Sequence, residues 1–265
     1  PLGELFKKVS LPQAEEALKQ AYDNGVRYYD TAPFYGHGLS EHRLGHMLQQ
    51  KIRSEFILSS KVGRVYSPFN GNPSEFNSSP WTGGLPFQCY FDYSSVGMER
   101  SYIDSTLRLG LNQIDLLIIH DLDHGYHGKK VKQKLKELES GVEWLKKMKT
   151  SGLIKGIGAG INDMQMIPIF IEHFDIDFFL VAMPYTLLDQ SPLEKVFPAC
   201  KKLEIGIIIG SPYASGILAA GSNYESTYDY APANNEILKK VSSIEAICRK
   251  YDVPLKAASL QFPLF

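Results

Sequence analysis

Cysteine is scarce in this chain: three in 265 residues, at positions 89, 200 and 248. The number is odd and no CxxC pair occurs, so neither a disulfide framework nor a metal site can be read from it, and reduced thiols in a cytoplasmic setting are expected. An excess of either charge is also lacking. With 28 Lys+Arg against 29 Asp+Glu the net charge is -1, which leaves no electrostatic case for a nucleic-acid or anionic-membrane partner. No apolar run approaches the ~20 residues of a membrane-spanning helix. The opening PLGELFKKVS does not form a signal peptide. The GxGxxG turn that an open dinucleotide-binding sheet carries after its first strand is missing as well; Gly156, Gly158 and Gly160 are spaced GxGxG on a middle strand, a weak signal. What remains is an ordinary mixture, 44% hydrophobic and 22% charged, long enough for one large α/β domain or two small ones.

Alternation dominates what is there. Short runs that are apolar throughout occur at Val26–Asp30, Phe56–Ser60, Ile114–His120, Ile154–Ala159, Asp177–Met183 and Ile205–Gly210, the pattern of parallel strands covered on both faces. Helical segments are predicted at Leu11–Asn24, Ser40–Gln50, Gly97–Leu109, Lys132–Thr150, Asp163–His173, Leu193–Leu203 and Asn235–Tyr251. Pro12 in the first turn and Gly25 after the last delimit the first of these. Leu135, Leu138, Val142, Leu145 and Met148 form the expected buried stripe of the fourth, whose lysines read as a solvated face because Glu137, Glu139 and Glu143 interleave. Strand–helix repetition implies right-handed βαβ units. Polar residues recur at strand C-termini, which in a closed barrel all face one pocket. A single (β/α)8 barrel domain over 1–265 is therefore expected. The PLGEL opening and QFPLF ending read as pieces next to a first and a last strand that are missing from the sequence given.

Residues 62–95 read as a long loop without regular structure. It holds several prolines and glycines and many aromatics, Trp81 and Phe91 among them, the composition of a substrate lid or binding loop. A shorter insertion, Asp121–Lys130, follows His120.

Four strand-end residues carry the chemical reading: Asp30, Tyr35, Lys61 and His120. A phenol with a pKa near ~10 is a poor acid–base catalyst at neutral pH unless shifted. An ammonium beside it favours the phenolate. Lys61 can supply that charge, Asp30 can hold Lys61, and His120 can hydrogen-bond the phenol and a substrate oxygen. Taken singly, such residues are commonly packing or ion-pair residues. Together they equip a site to move a proton next to a carbonyl.

DTAPFYGHGLSEHRLG (Asp30–Gly45), SKVGR (Ser60–Arg64), LGLNQIDLLIIHDLD (Leu109–Asp123) and KTSGLIKGIGAGIND (Lys149–Asp163) resemble the aldo-keto reductase family. The resemblance implies a (β/α)8 barrel with Asp30, Tyr35, Lys61 and His120 as the catalytic group. It also implies an extended nicotinamide dinucleotide, NAD or NADP with NAD slightly favoured. Trp81–Ser101, His120–Gly128 and Tyr185–Gln190 are similar to the L-fucose dehydrogenase, D-threo-aldose 1-dehydrogenase and pyridoxal 4-dehydrogenase branch, which oxidises cyclic hemiacetals to lactones. Ser211, Ser215, Gly216 and Ile217 resemble a pyrophosphate-binding loop, with a plain strand–helix loop as the alternative. Two positions depart from the family pattern. Gly160-Ile161 stands where many members have Ser-Asn, so that Asn162 either substitutes as a carboxamide contact or caps the next helix. Gly210 stands where many members have a stacking aromatic. The implied partner is a small carbonyl or hemiacetal substrate, on a monomer or weak homo-oligomer. A general NADPH-dependent aldehyde or ketone reductase and a non-catalytic NAD(P)H-binding barrel are the alternatives.

Overall fold

The computed structural model describes residues 2–223 and 225–265, which fall into two compact units, Pro1–Ala159 and Gly160–Phe265. In the first, α1 (Leu11–Asp23) starts where Ser10 and Gln13 cap one another's backbone N–H groups, and it buries Ala14 and Leu18. Then come β1 (Tyr28–Asp30), α2 (Leu39–Leu48) and β2 (Ile57–Val62). β3 (Arg64–Pro68) and β4 (Phe87–Phe91) pair antiparallel as a separate hairpin. α3 (Ser95–Leu109) leads to β5 (Leu116–His120), the one-turn α4 (His124–His127), α5 (Val131–Thr150) and the start of β6 (Gly156–Ile161).

β1 pairs parallel with β2, and β2 with β5. Their C-terminal ends therefore lie side by side, and the residues at those ends are Asp30, Lys61 and His120. Leu58, Leu117 and Ile118 are fully buried, which accounts for runs with no polar alternation. On the outer layer α2 meets the end of α3 so closely that a Cβ at Gly45 would stand 2.2 Å from the Leu109 carbonyl oxygen. At the opposite end of the strands the buried Asp115 carboxylate accepts from the Leu58 N–H at 2.9 Å and the Arg53 guanidinium at 2.6 Å, and pairs with Lys155 at 2.9 Å. Burial pushes this carboxyl up, but the hydrogen bonds from Lys155, Leu58 and Arg53 outweigh it and the net direction is down.

The second unit contains α6 (Met166–His173), β7 (Phe178–Ala182), α7 (Val196–Lys202) and β8 (Gly206–Gly210), with β7 and β8 parallel. After α8 (Ile217–Ala220) a small hairpin, β9 (Thr227–Tyr228) and β10 (Ala231–Pro232), precedes α9 (Asn235–Lys250) and α10 (Leu255–Gln261). Met183, Ala214, Ile217, Leu218 and Val241 form its buried apolar cluster. Among the described residues no helix is long and apolar enough to cross a membrane.

All six expected strands are present. Three differences have local causes. Residues 62–95 contain the β3–β4 hairpin, because Gly63, at φ 96° in the left-handed region, breaks away from β2 and starts a new strand at once. The insertion after His120 contains α4, capped by the Asp123 carboxylate accepting from the Tyr126 N–H. The helix expected from Asp163 begins at Met166, because the Asp163 carboxylate accepts from the Gln165 N–H and closes a turn first.

Candidate active site

Lys61 is the buried centre of the first unit's strand ends. Its ammonium, 2% exposed, donates to the Asp30 carboxylate at 2.7 Å and to the Thr31 carbonyl at 2.9 Å. The other Asp30 oxygen accepts from Ser59 Oγ at 2.6 Å, and Ser59 Oγ and the Tyr28 hydroxyl lie 2.9 Å apart. Because successive side chains of a strand point to opposite faces, it is the β1–β2 register, setting Asp30 against Ser59, that allows the carboxylate to take both groups.

Tyr35 lies in the turn between β1 and α2, its N–H donating to the Ala32 carbonyl at 3.1 Å. Lys61 Nζ stands 4.6 Å from the centroid of the Tyr35 ring, close enough for its charge to act on the phenol. The His120 ring is edge-on to Tyr35 at 6.1 Å between centroids. All four residues expected to act together are thus gathered within one unit.

The electrostatics depart from the sequence expectation in one respect. Burial pushes the Tyr35 phenol up; Lys61 pulls it down by its charge, and Asp30 pushes it up again. The net direction is up, not down, because desolving a phenolate outweighs the neighbouring ammonium. Lys61 is raised: burial alone would lower it, but Asp30 and Tyr35 together outweigh burial. His120 is held well below the ordinary imidazole value by burial, then by Arg64 and Lys61, and is neutral at physiological pH.

Two charged residues of the site carried no role in the sequence reading. Arg64 is buried, its guanidinium 3.9 Å from the Phe34 ring centroid and 4.1 Å from that of Phe91. It donates to Asp121 Oδ2 at 2.5 Å, and the same oxygen lies 3.2 Å from His120 Nε2. Both residues were visible as the last of SKVGR and the residue after His120. Their meeting depends on β3 leaving β2 at Gly63.

The two residues expected to contact substrate differ. Trp81 is buried, with its ring 5.5 Å from that of Tyr35 and 5.6 Å from that of Phe34. Its indole N–H has no hydrogen-bond partner among the described residues. Phe91 instead faces Arg64, lies nearly parallel to Tyr93 at 5.8 Å and abuts His127 at 4.5 Å; it props the guanidinium.

The residues expected to hold the dinucleotide belong to the second unit. Asn162 is exposed just past β6 and does not cap α6. Ser211, Ala214, Ser215 and Gly216 all have positive φ, from 47° to 105°. Successive residues of this kind turn backbone N–H groups toward one concavity, a geometry suited to phosphate oxygens, and nothing stands within 4 Å of where a Cβ on Gly216 would lie. The Ser215 hydroxyl is engaged internally, donating to Met183 Sδ at 3.6 Å and accepting from the Tyr230 N–H at 3.0 Å. Ile217 is buried in the apolar cluster, so only its backbone is left to meet a ligand. A Cβ on Gly210 would press on Leu180 at 3.1 Å, which suits a glycine there better than a stacking aromatic.

Comparison with known proteins places the chain in a family. The model of the Aldo/keto reductase family matches residues 2–264. Pyridoxal 4-dehydrogenase of Microbacterium luteolum is 38% identical over 273 residues, covering 100% of this chain and 80% of its own. D-threo-aldose 1-dehydrogenase of Pseudomonas sp is 38% identical over 269 residues, covering 99% and 79%. A holo-form aldo-keto reductase from Bacillus halodurans aligns with a TM-score of 0.69 at 23% identity, over 98% of this chain and 75% of that one.

Proposed function

The chain belongs to the Aldo/keto reductase family, an NAD(P)-dependent oxidoreductase with an α/β-barrel fold, and we propose that it oxidises a cyclic hemiacetal to a lactone. The substrate is an aldose such as L-fucose or a D-threo-aldose, or a pyridoxal-like ring. The observation that carries this reading is the buried Asp30–Lys61–Tyr35 chain with Trp81 against the phenol. The two relatives at 38% identity, named for pyridoxal and an aldose, support the substrate class.

A bound nicotinamide supplies the hydride acceptor. This chain's residues manage the proton and the orientation. Tyr35 takes the proton of the anomeric hydroxyl as the ring carbon is oxidised. Lys61, held cationic by Asp30, favours the phenolate at that moment and opposes the upward push of burial. The neutral His120 hydrogen-bonds the reacting oxygen, and the Trp81 ring, packed against the phenol, offers an apolar face to a polyhydroxylated ring. The Ser211–Ile217 loop holds the dinucleotide pyrophosphate by its backbone, and Asn162 is the candidate contact for the carboxamide.

Absorbance at the nicotinamide band tests the reading, with NAD and NADP each paired with L-fucose, D-arabinose, pyridoxal and a simple aldehyde. Turnover of the ring substrates with lactone as product is expected. Tyr35→Phe should abolish it by ~10²- to 10⁴-fold while dinucleotide binding persists. Activity confined to reduction of open-chain aldehydes, or turnover surviving Tyr35→Phe, would overturn it.

A further inference from the structure

We propose that Asp121 is a specificity residue whose carboxylate accepts a hydrogen bond from a substrate hydroxyl on the carbon next to the one being oxidised. This rests on the hemiacetal reading above and adds to it which rings the site prefers: those with a vicinal diol at the reacting end.

The spacing is set at the end of β5. Of the two ring nitrogens of His120, Nδ1 is buried, so Nε2 is the one that a reacting oxygen can meet. Asp121 Oδ2 lies 3.2 Å from that Nε2. The two oxygens of a vicinal diol, when gauche, stand roughly one hydrogen-bond length apart. A ring whose reacting oxygen is held by Tyr35 and His120 therefore brings its neighbouring hydroxyl within reach of the Asp121 carboxylate.

The carboxylate has capacity left for that hydroxyl. Oδ2 takes the Arg64 guanidinium at 2.5 Å, while Oδ1 accepts no hydrogen bond among the described residues, and the side chain is 13% exposed. An ionised carboxylate can only accept, so it gains from a hydroxyl, which brings a proton, and nothing from a C–H. Burial pushes the Asp121 carboxyl up, and the charge and hydrogen bond of Arg64 oppose that push. Arg64 is in turn fixed between the rings of Phe34 and Phe91, a planar stack that lysine could not reproduce. The acceptor is thus held in place before a substrate arrives, and little ordering is needed to use it. The two substrate classes proposed above differ at this point. In an aldose hemiacetal the carbon next to the reacting one bears a hydroxyl. In the pyridoxal hemiacetal it is a pyridine ring carbon and bears none. Asp121 therefore favours the aldose.

The test uses matched substrates. D-arabinose and 2-deoxy-D-ribose differ only in the hydroxyl at C2. In wild type, kcat/KM for oxidation should be ~10- to 100-fold higher for D-arabinose, the range of a hydrogen bond to a charged group. Asp121 sits at φ 52°, a conformation that Asn also tolerates, and Asp121→Asn leaves an amide oxygen for Arg64. With this neutral amide the preference should shrink to ~2- to 10-fold, while turnover of pyridoxal and Kd for the dinucleotide change little. A merely structural role would lower D-arabinose, 2-deoxy-D-ribose and pyridoxal alike. In the reducing direction lactaldehyde and propanal form the equivalent pair, and lactaldehyde should be preferred. A chain that only reduces open aldehydes, yet shows that preference, would refute the hemiacetal reading and leave the role of Asp121 standing. A wild type that does not distinguish the members of either pair, an Asp121→Asn variant with the wild-type preference, or equal losses on D-arabinose and pyridoxal would each overturn the proposal. The wild-type comparison alone decides if Asp121→Asn fails to fold by circular dichroism.

Discussion

Replacing Lys61 with methionine separates what this residue does for folding from what it does for catalysis. The side chain is 2% exposed, and its ammonium is the partner of an Asp30 carboxylate that is 24% exposed. Methionine retains most of the stem's packing but leaves the carboxylate without its cation. Removing one partner of a fully buried pair costs about 3–5 kcal/mol. Here Asp30 keeps partial contact with water and the hydrogen bond from Ser59, and the Thr31 carbonyl loses a donor. The loss should therefore be about 2–4 kcal/mol, a drop in melting temperature on the order of 10 °C for a chain of this size. Urea unfolding should show a lower midpoint with an unchanged slope. Asp30→Asn combined with Lys61→Met should recover ~1 kcal/mol or more, since the pair is then removed together, while oxidation stays abolished in both variants. A single variant as stable as the wild type, or a double variant that regains turnover, would refute the view of Lys61 as a buried charge serving Tyr35.

Other outcomes follow from the same geometry. Since burial raises the Tyr35 phenol despite Lys61, its base form grows as pH rises into the alkaline range, and kcat/KM for oxidation should climb there; a pH profile falling over that range would contradict the assignment of Tyr35 as base. The Asp115 carboxyl is lowered in the folded protein, so its contribution is present above the ordinary carboxylate pKa and disappears as pH falls through the folded value. Asp115→Asn should therefore destabilise at pH 7 by ~1–3 kcal/mol, and the gap to the wild type should narrow under strong acid in denaturant titrations at several pH values. Trp81→Ala should raise KM for sugar-like rings more than for small aldehydes in steady-state kinetics, and equal effects on both would argue against recognition of the ring by this side chain.

The strands and the four strand-end residues were legible because each depends on local pattern: apolar runs such as Leu116–Ile119, each closed by a polar residue. The β3–β4 hairpin was not, since the segments RVYSP and FQCYF are far apart in sequence and separated by prolines and glycines. Nothing in either segment names its partner. The Arg64–Asp121 contact was hidden for the same reason, although both residues stood inside motifs already singled out. The direction of the Tyr35 shift was hidden differently: residue types announce a neighbouring ammonium, but not how thoroughly the phenol is desolvated. In the second unit the sequence marked the Ser211–Ile217 loop, while the inward burial of Ile217 and the internal engagement of Ser215 depend on packing against Met183 and Tyr230.

Arg64 is the first residue of β3 and pairs in register with Phe91, the last residue of β4. Both ends of the hairpin are thus anchored to the guanidinium that contacts Asp121, whereas residues 69–86 between its strands are free of that constraint. Away from Trp81, which packs on Tyr35, insertions and substitutions can accumulate there and reshape what the enzyme admits, with the proton-handling group left intact. Substrate range and chemistry are in this way separately evolvable, divided at a single salt bridge.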